Sequence, residues 1–278
     1  MGLKWTITGA FLYAAMAAWV LSLAGHAAAW ACRRRGALGL GKILGRLGWA
    51  FGGLGFAILA AGFIYRWIDV RHLPLQSMFE VFLALGMLTF PLGLFCQKFL
   101  RAQGPAASAA MGLIVLVPPA FVFQATPQML PPALRSWLFL PHVGAYLLAY
   151  VILVMAGVQA MGCLLADAMG QPEAAIRREL ATYRLVRLGF PLLLLGLVLG
   201  AVWGKLAWGD YWNWDPKELW SLATFLIYVA YLHVRGLFGG RARLANSALA
   251  ALGVVGIAAT VLWVNLSRFF LSLHSYAR

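Results

Sequence analysis

The feature that most constrains this chain is a series of apolar runs, each about as long as a membrane-spanning helix. A helix needs about 20 apolar residues to cross the hydrocarbon core of a bilayer. Eight such runs lie at about residues 6–30, 47–66, 78–96, 108–124, 143–166, 188–204, 217–235 and 245–270. The pattern predicts an all-α, polytopic integral membrane helix bundle with about eight transmembrane helices. No connecting stretch is long enough for a soluble domain, so we expect a single transmembrane domain over residues 1–278.

Composition supports the membrane class and excludes others. Hydrophobic residues make up 63% of the chain and charged residues 11%, and the mean hydropathy is +0.83. Soluble chains carry about 25% charged residues, so no soluble fold could bury this much apolar surface. The formal net charge of +14 does not indicate nucleic-acid binding, because the basic residues lie in short clusters between apolar runs. We therefore expect this chain to contact membrane lipid and not to bind nucleic acid.

The lysines and arginines predict the orientation. Of 22 such residues, fourteen fall in the loops of one side and eight on the other. The eight are Lys4, Arg66, Arg71, Arg135, Lys205, Lys217, Arg268 and Arg278. Because cytoplasmic loops carry the excess of basic residues, the side with fourteen is predicted to be cytoplasmic. Both termini and segments 67–77, 125–142 and 204–216 then face the periplasmic side of the cell inner (plasma) membrane.

The cysteines exclude one kind of chemistry. Cys32, Cys96 and Cys163 lie far apart in sequence, and no C-x-x-C pair occurs. The chain is therefore not expected to perform dithiol chemistry itself.

One outward stretch, residues 203–221, differs from all the others and is called the tryptophan segment below. It contains five tryptophans within eighteen residues: Trp203, Trp208, Trp212, Trp214 and Trp220. Tryptophan favours membrane interfaces, so an aromatic belt is one interpretation. A belt, however, scatters single rings over many helix ends. Rings concentrated among glycine and acidic residues instead suit a flat, apolar ligand, whose faces stack on rings and whose edges need polar contacts.

The end of the tryptophan segment predicts a helix start. Asp215 is a natural N-cap, Pro216 fits the first helical turn, and Glu218 completes a capping box. This arrangement gives both acidic residues a structural explanation. A functional alternative is that the helix N-terminus points N–H groups at anionic parts of a ligand, such as haem propionates.

Two histidines are predicted at the same outward face as the tryptophan segment. His142 lies at the outer start of the fifth apolar run, and His274 lies just past the outer end of the eighth. Each of them alone fits an ordinary interfacial histidine, but two neutral imidazoles beside an aromatic platform are the arrangement that a bis-histidine haem iron requires. His233 lies seventeen residues after Pro216, about 25 Å along a helix, and therefore near the cytoplasmic half of the membrane. It marks a second, inner haem site or is an ordinary interfacial histidine beside Arg235.

Three further residues have weaker signals. His26 and His72 fit ordinary positions near a helix end and in a loop. Glu80 is an ionisable group just inside the third apolar run, where such residues are functional by default. Its partner is either Arg66 or Arg71.

The run Trp208-Gly-Asp-Tyr-Trp-Asn-Trp-Asp-Pro-Lys-Glu-Leu-Trp220 resembles the WWD signature of haem-handling proteins in cytochrome c biogenesis. Supporting stretches of similarity are Leu73–Glu80, Leu134–Val143, Tyr231–Arg235 and Leu273–Ala277. The resemblance covers almost the whole chain and is closest to the CcsA (ResC) family, the integral component of the System II cytochrome c synthase.

This resemblance implies roles for particular residues. His142 and His274 would ligate the haem iron at the outer site, and His233 would mark an inner haem-entry site. The outer haem b would also contact Trp208, Trp212, Trp214, Asp215 and Trp220. No residue is assigned as a catalytic acid or base.

The resemblance also implies function and partners. The expected function is haem transport and presentation for thioether attachment, as an enzyme of the cytochrome c synthase (haem lyase) type. The expected partners are a CcsB (ResB)-like membrane protein, apocytochrome c with its C-x-x-C-H segment and, indirectly, a thiol-reducing thioredoxin-like protein. One alternative is a haem exporter or chaperone similar to CcmC and CcmF. Another is a haem b electron-transfer subunit, which would favour paired histidines at two depths of the bundle.

Overall fold

The computed structural model describes residues 6–127 and 129–266, which form helices joined by short connections and contain no β-strand. The main helices are α1 (Ile7–Arg34), α2 (Leu38–Val70), α3 (Met78–Phe95), α4 (Pro105–Phe121), α5 (Phe139–Ala168), α6 (Pro172–Trp208), α7 (Pro216–Phe238) and α8 (Arg243–Ala258). A π-helical turn, Cys96–Leu100, extends α3. Another, Ala259–Trp263, joins α8 to the helical residues Val264–Leu266, at which the described part of the chain stops. Short 3₁₀ helices span Pro132–Arg135 and Gly239–Ala242. The all-α fold class is confirmed.

Helix length and composition make this chain a multi-pass membrane protein. Six apolar helical segments among the described residues are long enough to cross a bilayer. The sixth, Pro216–Trp263, contains both α7 and α8, while α4 is shorter at 17 residues. The count of eight crossings and the outward termini stay predictions.

Helices α7 and α8 pack antiparallel to each other. Gly253 of α8 faces the ring of Tyr228, and Gly256 faces the side chain of Thr224. Later residues of one helix therefore meet earlier residues of the other, as in a hairpin.

Helix α6 begins sixteen residues before the apolar run expected at 188–204. Hydropathy marks only the apolar part of a helix. The preceding residues, rich in alanine, glutamate, arginine and leucine, have high helix propensity and continue the same helix at its N-terminal end.

The chain divides into two compact units, which are described separately. The first comprises residues 1–97 and 103–130, and the second comprises residues 98–102 and 131–278. Helices α1 to α4 belong to the first unit, and α5 to α8 belong to the second.

In the first unit, glycines on α2 allow α1 to approach closely. A Cβ atom at Gly55 would lie 2.5 Å from the indole of Trp19. The Trp19 indole N–H donates to the carbonyl of Gly52 at 3.1 Å, and the Ser22 hydroxyl donates to the carbonyl of Gly48 at 2.7 Å. Small residues are what brings helix backbones together in lipid, where apolar association gives little driving force.

A buried ion pair lies at one end of the first unit. Arg66 and Glu80 are each only 2% exposed, with 2.9 Å between Nη2 and Oε1. Arg66 also donates to the carbonyl of Ala125 at 2.8 Å. The other carboxylate oxygen of Glu80 accepts the backbone N–H groups of Gln76 and Ser77. The pair thus joins the end of α2, the start of α3 and the segment after α4.

The structure decides between the two candidate partners of Glu80, and it also shows the surroundings of His26 and His72. Arg66 is the partner, whereas Arg71 ends α2 in a left-handed conformation. The ring of His26 packs edge-on against Trp49, with centroids 6.1 Å apart. His72 Nδ1 lies 3.0 Å from the carbonyl oxygen of its neighbour Leu73.

In the second unit, charged side chains cluster at one end. Arg243 at the start of α8 donates to Asp167 at the end of α5, at 2.7 Å. Glu179 near the start of α6 lies 2.7 Å from Arg235 near the end of α7. The amide of Asn246 in α8 also donates to Glu179, at 3.0 Å. The first two contacts pair a helix start with a helix end, and the third pairs the starts of α6 and α8, as expected when successive helices alternate in direction.

Candidate functional site

The tryptophan segment consists of the end of α6, a short loop and the first turns of α7. Helix α6 ends at Trp208, and Gly209 follows in a left-handed conformation with φ of 94°, which glycine adopts without strain. Helix α7 then begins at Pro216.

The predicted capping box at the start of α7 is confirmed. The Asp215 carboxylate accepts the backbone N–H of Lys217 at 2.9 Å. The Glu218 carboxylate accepts the backbone N–H groups of Asn213 at 2.8 Å and Asp215 at 3.2 Å. Because Asp215 is buried and caps α7, its clearest role is to fold the loop. Its contact with haem stays a prediction.

Trp214 lies between the two residues that Glu218 holds. It adopts φ of 58°, a left-handed conformation that costs about 1–3 kcal/mol in a residue other than glycine. Its side chain is 69% exposed, and its ring lies 6.2 Å from that of Trp212 at 88°. Trp220, on the first turns of α7, is also exposed. The capping box therefore holds a strained turn that presents large aromatic surface.

His142, on the first turn of α5, is held by three neighbours. Its ring stacks on Trp203, with centroids 5.5 Å apart at 27°, and meets the ring of Tyr146 at 5.2 Å and 89°. Its Nδ1 lies 2.9 Å from the carbonyl oxygen of Gly196 on α6. A carbonyl only accepts, so Nδ1 donates, and the lone pair of the neutral ring is on Nε2, the atom that could ligate iron.

Trp203 connects His142 to the tryptophan segment. Its side chain is 2% exposed, and its indole N–H donates to the carbonyl of Ala133 at 3.1 Å. Its ring also meets that of Trp208 at 5.0 Å and 63°. The structure thus brings His142 and Trp208 into one aromatic cluster through a tryptophan that was predicted only as part of the segment.

Glycine on α6 makes room for the imidazole of His142. A Cβ atom at Gly200 would lie 2.6 Å from His142 Cε1, and one at Gly196 would lie 2.9 Å from the Tyr146 ring. These glycines and Tyr146 were not predicted as site residues. The spacing of four residues, which places both glycines on one helix face, is the signal that could have indicated a packing surface.

His233 lies at the opposite end of α7 from the tryptophan segment. Helix α7 is continuous, so the expected separation of about 25 Å from Pro216 holds. The imidazole is exposed, and its Nδ1 lies 2.8 Å from the carbonyl oxygen of Val229. Arg235 instead points into the unit, where it contacts Glu179. His233 and Arg235, two residues apart in sequence, therefore lie on different faces of α7. His274 lies outside the described residues, so its role stays a prediction.

Comparison with known proteins gives a consistent result. Residues 44–274 match the family described as Cytochrome C assembly protein. Cytochrome c biogenesis protein CcsA of Synechococcus sp. (strain RCC307) is 31% identical over 260 residues, covering 79% of this chain and 81% of that protein. CcsA of Chlamydomonas reinhardtii is 31% identical over 237 residues, covering 81% of this chain and 66% of that protein.

A solved structure shares the fold. Cytochrome c Heme Lyase CcmF superposes with a TM-score of 0.66 at 18% identity, covering 94% of this chain and 48% of that chain. The chain thus spans about half the length of CcmF. Because the family match extends over most of the sequence, and the CcsA relatives match over most of it as well, this chain belongs to the cytochrome c assembly protein family.

Proposed function

We propose that this protein carries haem across the cell inner membrane and presents it for thioether attachment to apocytochrome c. It does so as the integral subunit of a cytochrome c synthase complex of the haem lyase type. Membership of the cytochrome c assembly family supports the general role in cytochrome c maturation. The observation that carries the finer proposal is His142, whose Nδ1 is fixed by Gly196 so that Nε2 can ligate iron beside the tryptophan segment.

The outer site would hold haem b by complementary contacts. His142 provides one axial ligand, and we assign the second to His274. The exposed rings of Trp214 and Trp220 offer surface for a flat macrocycle, with aromatic contacts worth about 0.5–1.5 kcal/mol each beyond burial. The predicted outward orientation places this site at the periplasmic face.

The chemistry that haem supplies is a pair of vinyl groups, to which the two thiols of a C-x-x-C-H segment add to form thioether bonds. Each S–H adds across one C=C bond, so no net proton is released. The protein contributes position and orientation rather than an acid or base. The histidine of the apocytochrome segment then replaces one protein imidazole. Reduced thiols are supplied by a thioredoxin-like protein, because this chain has no C-x-x-C pair.

The inner site would begin at His233. Its imidazole is exposed on the same apolar surface of α7 as Leu226 and Leu237. A polar side chain facing lipid is unfavourable, so a ligand or partner should cover it. We propose that haem enters here and that a CcsB (ResB)-like membrane protein supplies the remaining contacts.

The proposal is tested by separating haem binding from thioether formation. Co-expression with the CcsB-like partner and a c-type apocytochrome should yield haem that stays on the cytochrome after denaturation. An apocytochrome with both cysteines replaced by alanine is the control and should yield none. Haem that binds this protein, while no thioether forms with the intact apocytochrome and partner present, would support the exporter alternative.

A second prediction concerns the space around His142. Gly200→Ala should push the imidazole away, because the added Cβ would lie 2.6 Å from Cε1. Overpacking typically costs about 1–3 kcal/mol, so haem affinity should fall about tenfold. The matched control is Gly144→Ala on α5, where a Cβ meets nothing within 4 Å. The measurement is haem titration of both variants, and equal affinities would contradict the prediction.

A further inference from the structure

Trp203, near the end of α6, differs from the exposed tryptophans that follow it. Its side chain is 2% exposed, whereas that of Trp214 is 69% exposed. One face of the Trp203 indole lies against the imidazole of His142, with ring centroids 5.5 Å apart at 27°. The rings of Trp208 and Phe139 also contact this indole, with centroids 5.0 Å and 6.4 Å away. Trp203 therefore has too little free surface to stack on a haem, and its role must differ from that of the exposed rings.

A hydrogen bond anchors this indole to a segment outside α6. Trp203 Nε1 donates to the carbonyl of Ala133 at 3.1 Å, across 70 residues of sequence. Ala133 belongs to the 3₁₀ helix Pro132–Arg135, which precedes α5. Two consecutive prolines, Pro131 and Pro132, restrict the backbone at the start of that helix, so the acceptor carbonyl lies in a stiff segment. The position of the indole is consequently set by a second element and not by α6 alone.

The indole supplies a restraint on His142 that its hydrogen bond does not. The carbonyl of Gly196 accepts from His142 Nδ1 at 2.9 Å and so fixes the direction of one ring nitrogen. A single hydrogen bond still allows the imidazole to turn about the axis of that bond. The Trp203 indole covers one face of the imidazole and opposes this rotation, while Tyr146 bounds the ring at 89°. The plane of the imidazole therefore depends on the indole being held in place.

We propose that Trp203 is a positioning residue, which sets the plane of the His142 imidazole and ties it to the 3₁₀ helix Pro132–Arg135. This inference rests on the proposed function of His142 as a haem ligand. Outer contacts of a ligating histidine fix its orientation, and such contacts tune the properties of the haem iron. Trp203 thus acts on haem through His142, without contacting the macrocycle itself.

The experiment compares Trp203→Phe with Trp19→Phe in the full-length, haem-loaded protein. Trp19 is the matched control, because it is 0% exposed and its indole N–H donates to the carbonyl of Gly52, also at 3.1 Å. Each change removes one buried hydrogen bond, but only Trp203 contacts His142. Trp203→Phe should release haem about fivefold faster. It should also shift the ferric low-spin electron paramagnetic resonance signal, which depends on the orientation of the axial imidazole planes. Trp19→Phe should leave both unchanged.

A second variant tests the link to the 3₁₀ helix. Pro132→Gly loosens the segment that holds the Ala133 carbonyl and leaves both aromatic rings intact. It should shift the resonance signal in the same direction as Trp203→Phe, by a smaller amount. In the double variant it should add nothing to Trp203→Phe, because the hydrogen bond that it acts through is already absent.

The outcomes separate this inference from the proposed function. If His142→Ala removes haem but Trp203→Phe keeps the original spectrum and dissociation rate, the positioning role is wrong and the ligand assignment stands. A Trp19→Phe spectrum as altered as that of Trp203→Phe also overturns the inference, and full additivity with Pro132→Gly overturns the link to the 3₁₀ helix. If His142→Ala keeps its haem and spectrum, the proposed function itself fails. Should Trp203→Phe not fold, Pro132→Gly decides, since an unchanged spectrum in that variant contradicts the inference.

Discussion

Replacing His142 with alanine should remove most of the haem bound at the outer site, because it removes an axial ligand that the structure already holds in place. Its Nδ1 is fixed by Gly196 and its ring is stacked on Trp203, so the lost ligand was already positioned for binding. Replacing His233 should act differently. Haem content should fall because entry is impaired, while the remaining haem should keep the spectrum set by the outer ligands.

The measurement is haem per protein, absorption spectrum and cytochrome c yield for each single variant. Added imidazole should partly restore both variants, because it can occupy an empty axial position. His72→Ala is the control, since His72 contacts the carbonyl of its neighbour Leu73 in the first unit. A His142→Ala protein with full haem and an unchanged spectrum would contradict the outer-site assignment. Full haem and normal cytochrome c yield in His233→Ala would contradict the inner site.

Replacing Glu80 with alanine should be among the most destabilising single changes in the first unit. It leaves the Arg66 guanidinium buried without its carboxylate, a change that typically costs about 3–5 kcal/mol. It also removes the acceptor for the backbone N–H groups of Gln76 and Ser77. For a chain of this length the midpoint of thermal unfolding should fall by about 10 °C.

The matched control changes a second carboxylate beside the same arginine. Asp69 lies 3.5 Å from Arg66 but is 39% exposed, so Asp69→Ala should shift the midpoint little. Glu80→Gln should fall between the two, because it keeps acceptor oxygen but loses the charge. Thermal unfolding of the three variants in the same detergent is the measurement. Equal midpoints for Glu80→Ala and Asp69→Ala would show that the buried pair contributes little to stability.

Local signals in the sequence were sufficient for several features. Apolar runs of membrane length predicted an all-α membrane protein because every backbone polar group in a bilayer must be paired within the segment. The capping box of Asp215 and Glu218 was also readable, since its partners lie within five residues of each other. The start of α6 could not be predicted from the sequence, because hydropathy indicates which residues lie in lipid and not how long a helix is.

Tertiary structure decided what depends on side chains far apart in sequence. The acceptor for His142 lies 54 residues away in Gly196, and the oxygen bound by Trp203 lies 70 residues away in Ala133. Arg66 and Arg71 were equal candidates for Glu80 until the packing of three helix ends placed one of them in the interior. The helical periodicity of the sequence predicts which residues share a face of one helix. Only the packing of one helix against another determines which faces meet and which, like that of His233, remain exposed.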